Sequence, residues 1–195
     1  MCSAWTPPST RPPPARCAAA TSSGSTGRSG ASATRPSSAS STRAGAFRPT
    51  SPGAAFLHTA PSVRRTDAGG YVPVSVGTTT SMRMDRFTRG CVEDLGVRAI
   101  IGKGGLSAGS LEHLGRHGAV YLSITGGAAS YETLQVAEIE DVLWEDLMPE
   151  CLWKFRVTGF GPLFVTMDSH GASEYERTSE RARANMEAAY RKLGL

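Results

Sequence analysis

The sequence predicts an α/β fold in which short strands alternate with helices from about residue 54 onward. Two patterns predict it. Short apolar runs rich in β-branched and aromatic residues end at Gly or Pro, as buried strands do. Between them lie segments with apolar residues three and four positions apart, as in helices. Residues 1–53 show neither pattern, so the chain divides into residues 1–53 and residues 54–195.

Residues 1–53 are a low-complexity segment built almost wholly from Ala, Ser, Thr, Arg, Pro and Gly. The first leucine is Leu57, the first valine is Val63 and the first aspartate is Asp67. Such a composition buries too little apolar surface to offset the entropy lost on ordering. We therefore expect this segment, as written, to be disordered.

The elements predicted after residue 53 follow one another in a regular order. The predicted strands are AAFLHTAP (54–61), YVPVSVG (71–77), VRAII (97–101), AVYLSI (119–124), DVLWED (141–146), WKFRVTGF (153–160) and GPLFVTMDS (161–169). The predicted helices are 82–96, about 108–117, 126–139 and an amphipathic C-terminal helix at 173–193. In the first helix, Met84, Phe87, Cys91 and Leu95 share one face, and Gly96 ends it.

The charge distribution disfavours a nucleic-acid partner. The formal charge of +4 comes from six arginines before residue 54, a segment without any acidic residue. The rest of the chain has 15 basic and 17 acidic residues and no basic stripe interleaved with aromatic residues.

Neither a membrane span nor a secretory signal is expected, because no apolar run is long enough and no charged n-region precedes one. The four cysteines are Cys2, Cys17, Cys91 and Cys151, and none forms a C-x-x-C pair. We expect reduced thiols in a cytoplasmic protein.

The stretch TTTSMRMD (78–85) combines hydroxyls with an arginine at a predicted helix start. Free peptide N–H groups and a partial positive charge at such a start favour anions, and an arginine can bind a carboxylate through two parallel hydrogen bonds. Thr79, Thr80 and Arg83 could thus form an anion site. The alternative is a Thr or Ser cap followed by a solvated arginine.

The loop GKGGL (102–106) follows an apolar strand, and ligands of open α/β sheets bind at the carboxyl ends of strands. Lys103 would then offer a cation, or it would lie in a flexible surface turn. Elsewhere, His113 and His117 could pair on a helix as metal ligands, but two ligands do not make a site. The run Asp168-Ser169-His170 indicates a polar turn, since triad members are seldom adjacent in sequence.

Four strings in fixed order resemble one family. They are SVGTTTSMRMD, VRAIIGKGGL, EIEDVLWEDLMPECLWKFRV and FGPLFVTMDSHG, within about residues 53–171. The chain is identified as similar to the β subunit, or C-terminal domain, of the iron–sulfur class I fumarase and L(+)-tartrate dehydratase family. Three of the strings are closest to tartrate dehydratase.

The resemblance implies an α/β domain of swivelling β/β/α type that docks on a separate α subunit in a hetero-oligomer. It implies a hydro-lyase that adds or removes water across a C4 dicarboxylate, either fumarate and L-malate or L-tartrate and oxaloacetate. The [4Fe–4S] cluster, whose open iron acts as a Lewis acid, would be carried by the α partner and not by this chain.

Site residues are implied position by position. Thr79 matches the threonine proposed for proton transfer, Arg83 the arginine that binds a substrate carboxylate, and Lys103 the substrate-binding lysine of the glycine loop. Thr80 is the neighbouring hydroxyl, expected to bind substrate too. The family usually has Gly-Pro-Thr-Thr where this chain has Gly77-Thr78-Thr79-Thr80, so one φ angle is less restricted here.

Two upstream motifs of the family, GDxVxLxG and an RDAxH-like string with a substrate-binding arginine, are missing from residues 1–53. We hypothesise a frameshifted reading: under G/C-ending codons, residues 17–27 shift to LRGGDVVRLDG and residues 32–45 to VRDATQLRLFDEGG. A transit peptide is the rival interpretation. If the frameshift is right, the chain as written is a truncated, non-catalytic relative with an unpaired sheet edge and little or no activity; resequencing the gene decides this.

Overall fold

The computed structural model describes residues 54–147 and 151–194, together with the backbone of residues 16–20. Its strands are β1 Arg16–Ala20, β2 Ala55–His58, β3 Ser62–Arg65, β4 Tyr71–Ser75, β5 Ala99–Gly102, β6 Val120–Ser123, β7 Val136–Leu143, β8 Leu152–Val157 and β9 Phe164–Met167. Its α-helices are α1 Ala108–His117, α2 Ala129–Leu134 and α3 Glu174–Leu193. Shorter 3-10 helices lie at Ser81–Phe87 and Glu145–Leu147, and a π-helical turn at Gly90–Asp94.

Seven strands form one mixed sheet in the order β7-β8-β1-β2-β5-β6-β9, and β3 and β4 form a separate two-stranded sheet. Strands β1, β2, β5 and β6 run parallel, while β8 and β9 flank them in the antiparallel direction. Helix α1 carries the chain from β5 to β6. The predicted α/β class is therefore confirmed, and the carboxyl ends of β2, β5 and β6 share one edge of the sheet.

Strand β1 differs from the expectation of disorder throughout residues 1–53. It pairs in parallel with β2, where Ala18 lies opposite Phe56, and in antiparallel with β8, where Ala18 lies opposite Lys154. The unpaired sheet edge expected from the frameshift is consequently covered here, because a strand in this gap satisfies the backbone groups of both neighbours. The other residues of 1–53 lie outside the described part of the chain.

The first predicted helix is present but irregular. It begins as the 3-10 helix Ser81–Phe87, continues as a π-helical turn, and ends before Gly96, whose φ of +69° favours glycine. Met84 and Cys91 are buried as predicted, whereas Phe87 is 45% exposed. The 3-10 helix ends at Phe87, so the number of residues per turn changes there, and Thr88 is buried in place of Phe87.

The predicted helix at 126–139 and the predicted strand at 141–146 are only partly right. The helix is limited to α2, Ala129–Leu134, and β7 already begins at Val136. Two register shifts interrupt the pairing of β7 with β8, between Val136 and Glu138 and between Ile139 and Asp141. Such bulges break the strict alternation of apolar and polar residues that identifies a strand in sequence.

The core lies on both faces of the large sheet. Neighbouring residues of one strand separate to opposite faces: Phe56 and Ile100 belong to one apolar cluster, and Leu57 and Ile101 to the other. Both clusters are covered, which is why the central strands are apolar throughout. Within the described residues, no helix is long and apolar enough to cross a membrane.

Candidate active site

The backbone brings three of the four predicted site residues together at the carboxyl ends of β2 and β5. The Thr79 N–H donates to the carbonyl of His58, the last residue of β2, at 2.8 Å. Thr80 forms a parallel bridge with Lys103, which directly follows β5. The hydroxyl-rich stretch and the glycine loop are thus neighbours in space, although residues 86–101 separate them in sequence.

The two threonine hydroxyls have no partner among the described residues. Thr80 occupies the N-cap position of the 3-10 helix, with φ −68° and ψ 116°, yet its side chain makes no capping hydrogen bond. The capping alternative therefore finds no support at Thr80. Thr79 and Thr80 are both partly exposed.

Two cations accompany these hydroxyls. Arg83 lies in the first turn of the same helix and is exposed. Its peptide N–H donates to the Thr80 carbonyl at 3.3 Å. Lys103 is partly buried. Neither forms an ion pair within residues 54–147 and 151–194, so no direct carboxylate partner there competes with an anionic ligand.

The backbone conformation and close packing of the glycine loop require glycine at two positions. Gly104 and Gly105 have φ angles of +82° and +74°. A Cβ on Gly105 would lie 2.6 Å from Cδ2 of Tyr175, the second residue of α3. The loop is consequently packed against α3, which argues against a loosely held turn.

Asp85 joins the 3-10 helix to the start of α1. Its carboxylate accepts from the Ser107 N–H and the Ser107 hydroxyl, both at 2.8 Å, and from the Ser110 hydroxyl at 2.7 Å. Burial raises the pKa of Asp85, but these hydrogen bonds outweigh it and leave the pKa below its usual value. An ionised Asp85 therefore holds the far end of the loop in place.

A buried polar network lies directly behind the candidate site. The Tyr121 hydroxyl donates to Ser81 Oγ at 2.7 Å, and His58 Nδ1 lies 2.9 Å from the same oxygen. Burial lowers the pKa of His58 to about 4 and raises that of Tyr121. Both side chains are thus neutral at physiological pH. The sequence did not single out this network, because its members come from three separated segments.

Glu132 is a second feature absent from the sequence analysis. It lies on α2, its side chain is fully buried, and neither carboxylate oxygen has a hydrogen-bond partner of normal geometry in the described part of the chain. In the sequence, a glutamate inside the helix predicted at 126–139 looks like an ordinary surface residue. Only the tertiary packing shows that it is enclosed.

The remaining sequence candidates have other partners. His113 Nδ1 and His117 Nε2 lie 2.8 and 3.5 Å from the same oxygen of Glu93. No group of three or more metal-ligating side chains is present among the described residues. Asp168 accepts the backbone N–H groups of His170 and Ala172, as expected of a polar turn.

An open groove of ≈ 990 Å³ adjoins the site between the glycine loop, β6, β9 and α3. Met82 and Gly104 line it on the site's side, and Tyr175 and Arg183 line it on α3. Thr79, Arg83 and Lys103 are not among its lining residues. The groove is therefore a neighbour of the candidate site and not the site itself.

The fold and these motifs agree with comparisons to known proteins. The family described as Fumarase C-terminus matches residues 54–178. The chain is 43% identical over 120 residues to the L(+)-tartrate dehydratase subunit beta of Escherichia coli (strain K12), covering 61% of this chain and 59% of that protein. It is 36% identical over 126 residues to the "Putative L(+)-tartrate dehydratase subunit beta" of Methanocaldococcus jannaschii, covering 64% of each.

A longer relative extends the comparison. The "Putative fumarate hydratase class I" of Geobacillus stearothermophilus is 38% identical over 125 residues, covering 64% of this chain and 24% of that protein. This chain thus spans less than two thirds of the length of these curated relatives. Residues 54–178 define a fumarase C-terminal domain. The chain belongs to the β-subunit family of class I fumarate hydratases and L(+)-tartrate dehydratases.

Proposed function

We propose that this chain is the substrate-binding β-type subunit of a hydro-lyase that acts on a C4 dicarboxylate. The substrate pair is fumarate and L-malate, or L-tartrate and oxaloacetate. One observation carries the proposal: Thr79, Thr80 and Lys103 meet at the carboxyl ends of β2 and β5 and Arg83 lies in the next helical turn, and neither cation forms an ion pair within the described residues. A dicarboxylate with a hydroxyl on the adjacent carbon complements such a set.

Each side chain has a distinct part in the proposed reaction. Arg83 binds one carboxylate through its planar guanidinium, and Lys103 binds the substrate as a point charge. Thr79 transfers the proton at the substrate carbon, and Thr80 contributes a second hydroxyl. The backbone bonds of Thr79 to His58 and of Ser81 to Lys103 keep these groups in register, and fixed positioning is a large part of such catalysis.

The [4Fe–4S] cluster is proposed to reside on a partner α subunit, because the described cysteines do not fit one. Cys91 and Cys151 are buried in two different apolar clusters, one on each face of the sheet. Burial raises the pKa of Cys91 to about 12, whereas cluster ligation needs thiolates. We therefore expect the purified chain alone to be colourless and inactive, and a stable brown chromophore near 400 nm would contradict this.

The beta-subunit names of the relatives support a partner subunit. We propose a hetero-oligomer in the cytoplasm, in which this domain, of the swivelling β/β/α type, docks on the cluster-bearing α subunit. Neither a nucleic acid nor a membrane is needed for this function.

Anaerobic coexpression with the α partner tests the proposal. The assembled complex should hydrate fumarate or dehydrate L-tartrate, and assays with both substrates identify which one it uses. A correctly assembled complex with a full cluster but no turnover of either substrate would refute the proposal. It would favour the alternative of a non-catalytic relative.

A further inference from the structure

The buried carboxylate of Glu132 has no explanation in the proposed reaction. Its side chain is 0% exposed, and both of its oxygens lack a hydrogen-bond partner of normal geometry in the described chain. Burying a carboxylate in this state is costly unless a nearby charge compensates it or a proton neutralises it. A purely structural role would be served better by an apolar residue.

The surroundings of Glu132 belong to the candidate site. Helix α2 is packed so closely on the segment leading to Thr79 that a Cβ on Gly77 would lie 2.8 Å from the Cβ of Ala129. In addition, the Val76 N–H donates to Thr133 Oγ1 at 2.7 Å. The carboxylate of Glu132 is therefore enclosed directly behind the turn that carries the site threonines.

One described charge acts on this carboxylate, and it is Lys103. Burial raises the pKa of Glu132 above its usual value, while the Thr78 peptide N–H and the Lys103 ammonium act in the opposite direction. The aliphatic part of the Lys103 side chain lies beside the loop before α2: a Cβ on Gly126 would be 3.6 Å from the Lys103 Cδ. No acidic group of β4 or β7, the strands packed against α2, contributes to that shift.

We infer that the ammonium of Lys103 stabilises the buried charge of Glu132 in the empty site without a direct ion pair, and that a dicarboxylate bound to Lys103 makes Glu132 take up a proton. The inference rests on the proposed function, since Lys103 must bind the substrate. A bound carboxylate satisfies the Lys103 charge, which leaves an ionised Glu132 buried without compensation. Binding is then linked to protonation of Glu132, and the proton comes from solvent.

The linkage has a definite sign. Occupation of the site raises the pKa of Glu132 further, so the occupied site holds more protons than the empty one. Dicarboxylate binding therefore becomes weaker as pH rises between the two pKa values, by up to about tenfold per pH unit if a full proton is taken up. Glu132 in this way limits the affinity of the site for anions at alkaline pH.

Succinate is a suitable probe, because it is a C4 dicarboxylate without a hydroxyl to eliminate. Its binding to the assembled complex would be measured by calorimetry at several pH values between about 5 and 8, since burial raises the pKa of Glu132 from its ordinary range, in two buffers with different ionisation enthalpies. The wild-type complex should take up a measurable fraction of a proton, and Glu132→Gln should take up none. Glu132→Gln should also bind succinate about three- to tenfold more tightly at pH 8.

Controls separate the possible outcomes. Glu112→Gln makes the same change at an exposed residue that pairs with Arg116, and it should keep the wild-type proton uptake. Glu132→Met, of similar volume, is a second variant for the case in which the buried amide of Glu132→Gln disturbs folding. It too should take up no proton on binding succinate. Proton-free binding by the wild-type complex, or undiminished uptake in both Glu132 variants, would overturn the inference alone. A complex that binds neither succinate nor substrate would overturn the proposed function, and the inference with it.

Discussion

The peptide N–H of Ser81 donates to the carbonyl oxygen of Lys103 at 2.8 Å. This bond joins the first turn of the 3-10 helix to the second residue of the glycine loop. Because it uses backbone atoms only, replacing the side chains of Thr79, Arg83 or Lys103 does not remove either partner of this bond. Substitutions of the candidate residues therefore report on their chemistry more than on the local fold.

Replacing Arg83 with lysine keeps the charge and removes the planar fork of donors. We expect substrate binding to weaken by about 1.5–3 kcal/mol, the scale of a charge-assisted hydrogen bond. The measurement is KM in the assembled complex. Arg86→Lys is the matched control, because Arg86 lies on the same helix and stacks on the Phe87 ring at 4.7 Å. An unchanged KM for Arg83→Lys would remove Arg83 from the site.

The Thr79→Val substitution removes a hydroxyl with little change in shape. If Thr79 transfers the proton, kcat should fall by about 10²–10⁴-fold. Thr88→Val is the control: the Thr88 hydroxyl is buried and has no partner within the described residues, so its loss should leave kcat unchanged and stability equal or higher. A fall of less than tenfold for Thr79→Val would rule out a proton-transfer role.

Gly102 has no room for a side chain. A Cβ there would lie 1.9 Å from Ser81 Oγ and 2.9 Å from the Tyr121 hydroxyl, in the middle of the buried network. Gly102→Ala should therefore lower the free energy of unfolding by about 1–3 kcal/mol, as overpacking does. Chemical denaturation of the purified chain measures it.

Gly109→Ala is the matched control for Gly102→Ala. Gly109 lies in α1, and the atom nearest to a Cβ placed there would be Ser107 Oγ at 3.7 Å, an ordinary contact. Alanine in a helix should stabilise the protein by about 0.5–1 kcal/mol. Equal effects of the two substitutions would show that the crowding at Gly102 is of no consequence.

His58 should make the stability of the protein depend on pH. Its folded-state pKa of about 4 lies below the ordinary value of 6.5. As pH falls, His58 is therefore protonated in the unfolded chain before it is protonated in the folded protein. The contribution of neutral His58 to the free energy of unfolding is complete above pH 6.5 and is lost as pH falls towards 4. The loss amounts to about 3 kcal/mol over that range.

The measurement for His58 is the free energy of unfolding at pH 7 and pH 4 for the wild type and for His58→Gln. The variant should lose about 3 kcal/mol less than the wild type between these pH values. His170→Gln, at an exposed position, should follow the wild type. Parallel pH profiles for wild type and His58→Gln would contradict the assignment of a buried neutral histidine.

Particular elements show how far sequence reasoning reaches. Helix α1 was predicted at about 108–117 and is found at Ala108–His117, because Ser107 caps it and Gly118 ends it in the left-handed conformation. Helix α3 was likewise predicted from its amphipathic pattern and begins after the Ser173 cap. Strand β3 was missed, since its sequence SVRR has little apolar character and depends on pairing with β4.

By itself the sequence determined the α/β class, the order of most elements and the side chains Thr79, Thr80, Arg83 and Lys103 as candidates, because periodicity and short motifs are local properties. Only the tertiary structure decided what depends on distant contacts. It paired Thr80 with Lys103, joined His58 and Tyr121 through Ser81, and enclosed Glu132 behind the site turn. Burial and hydrogen bonding between segments far apart in the chain set charge states and positions, and no local pattern encodes them.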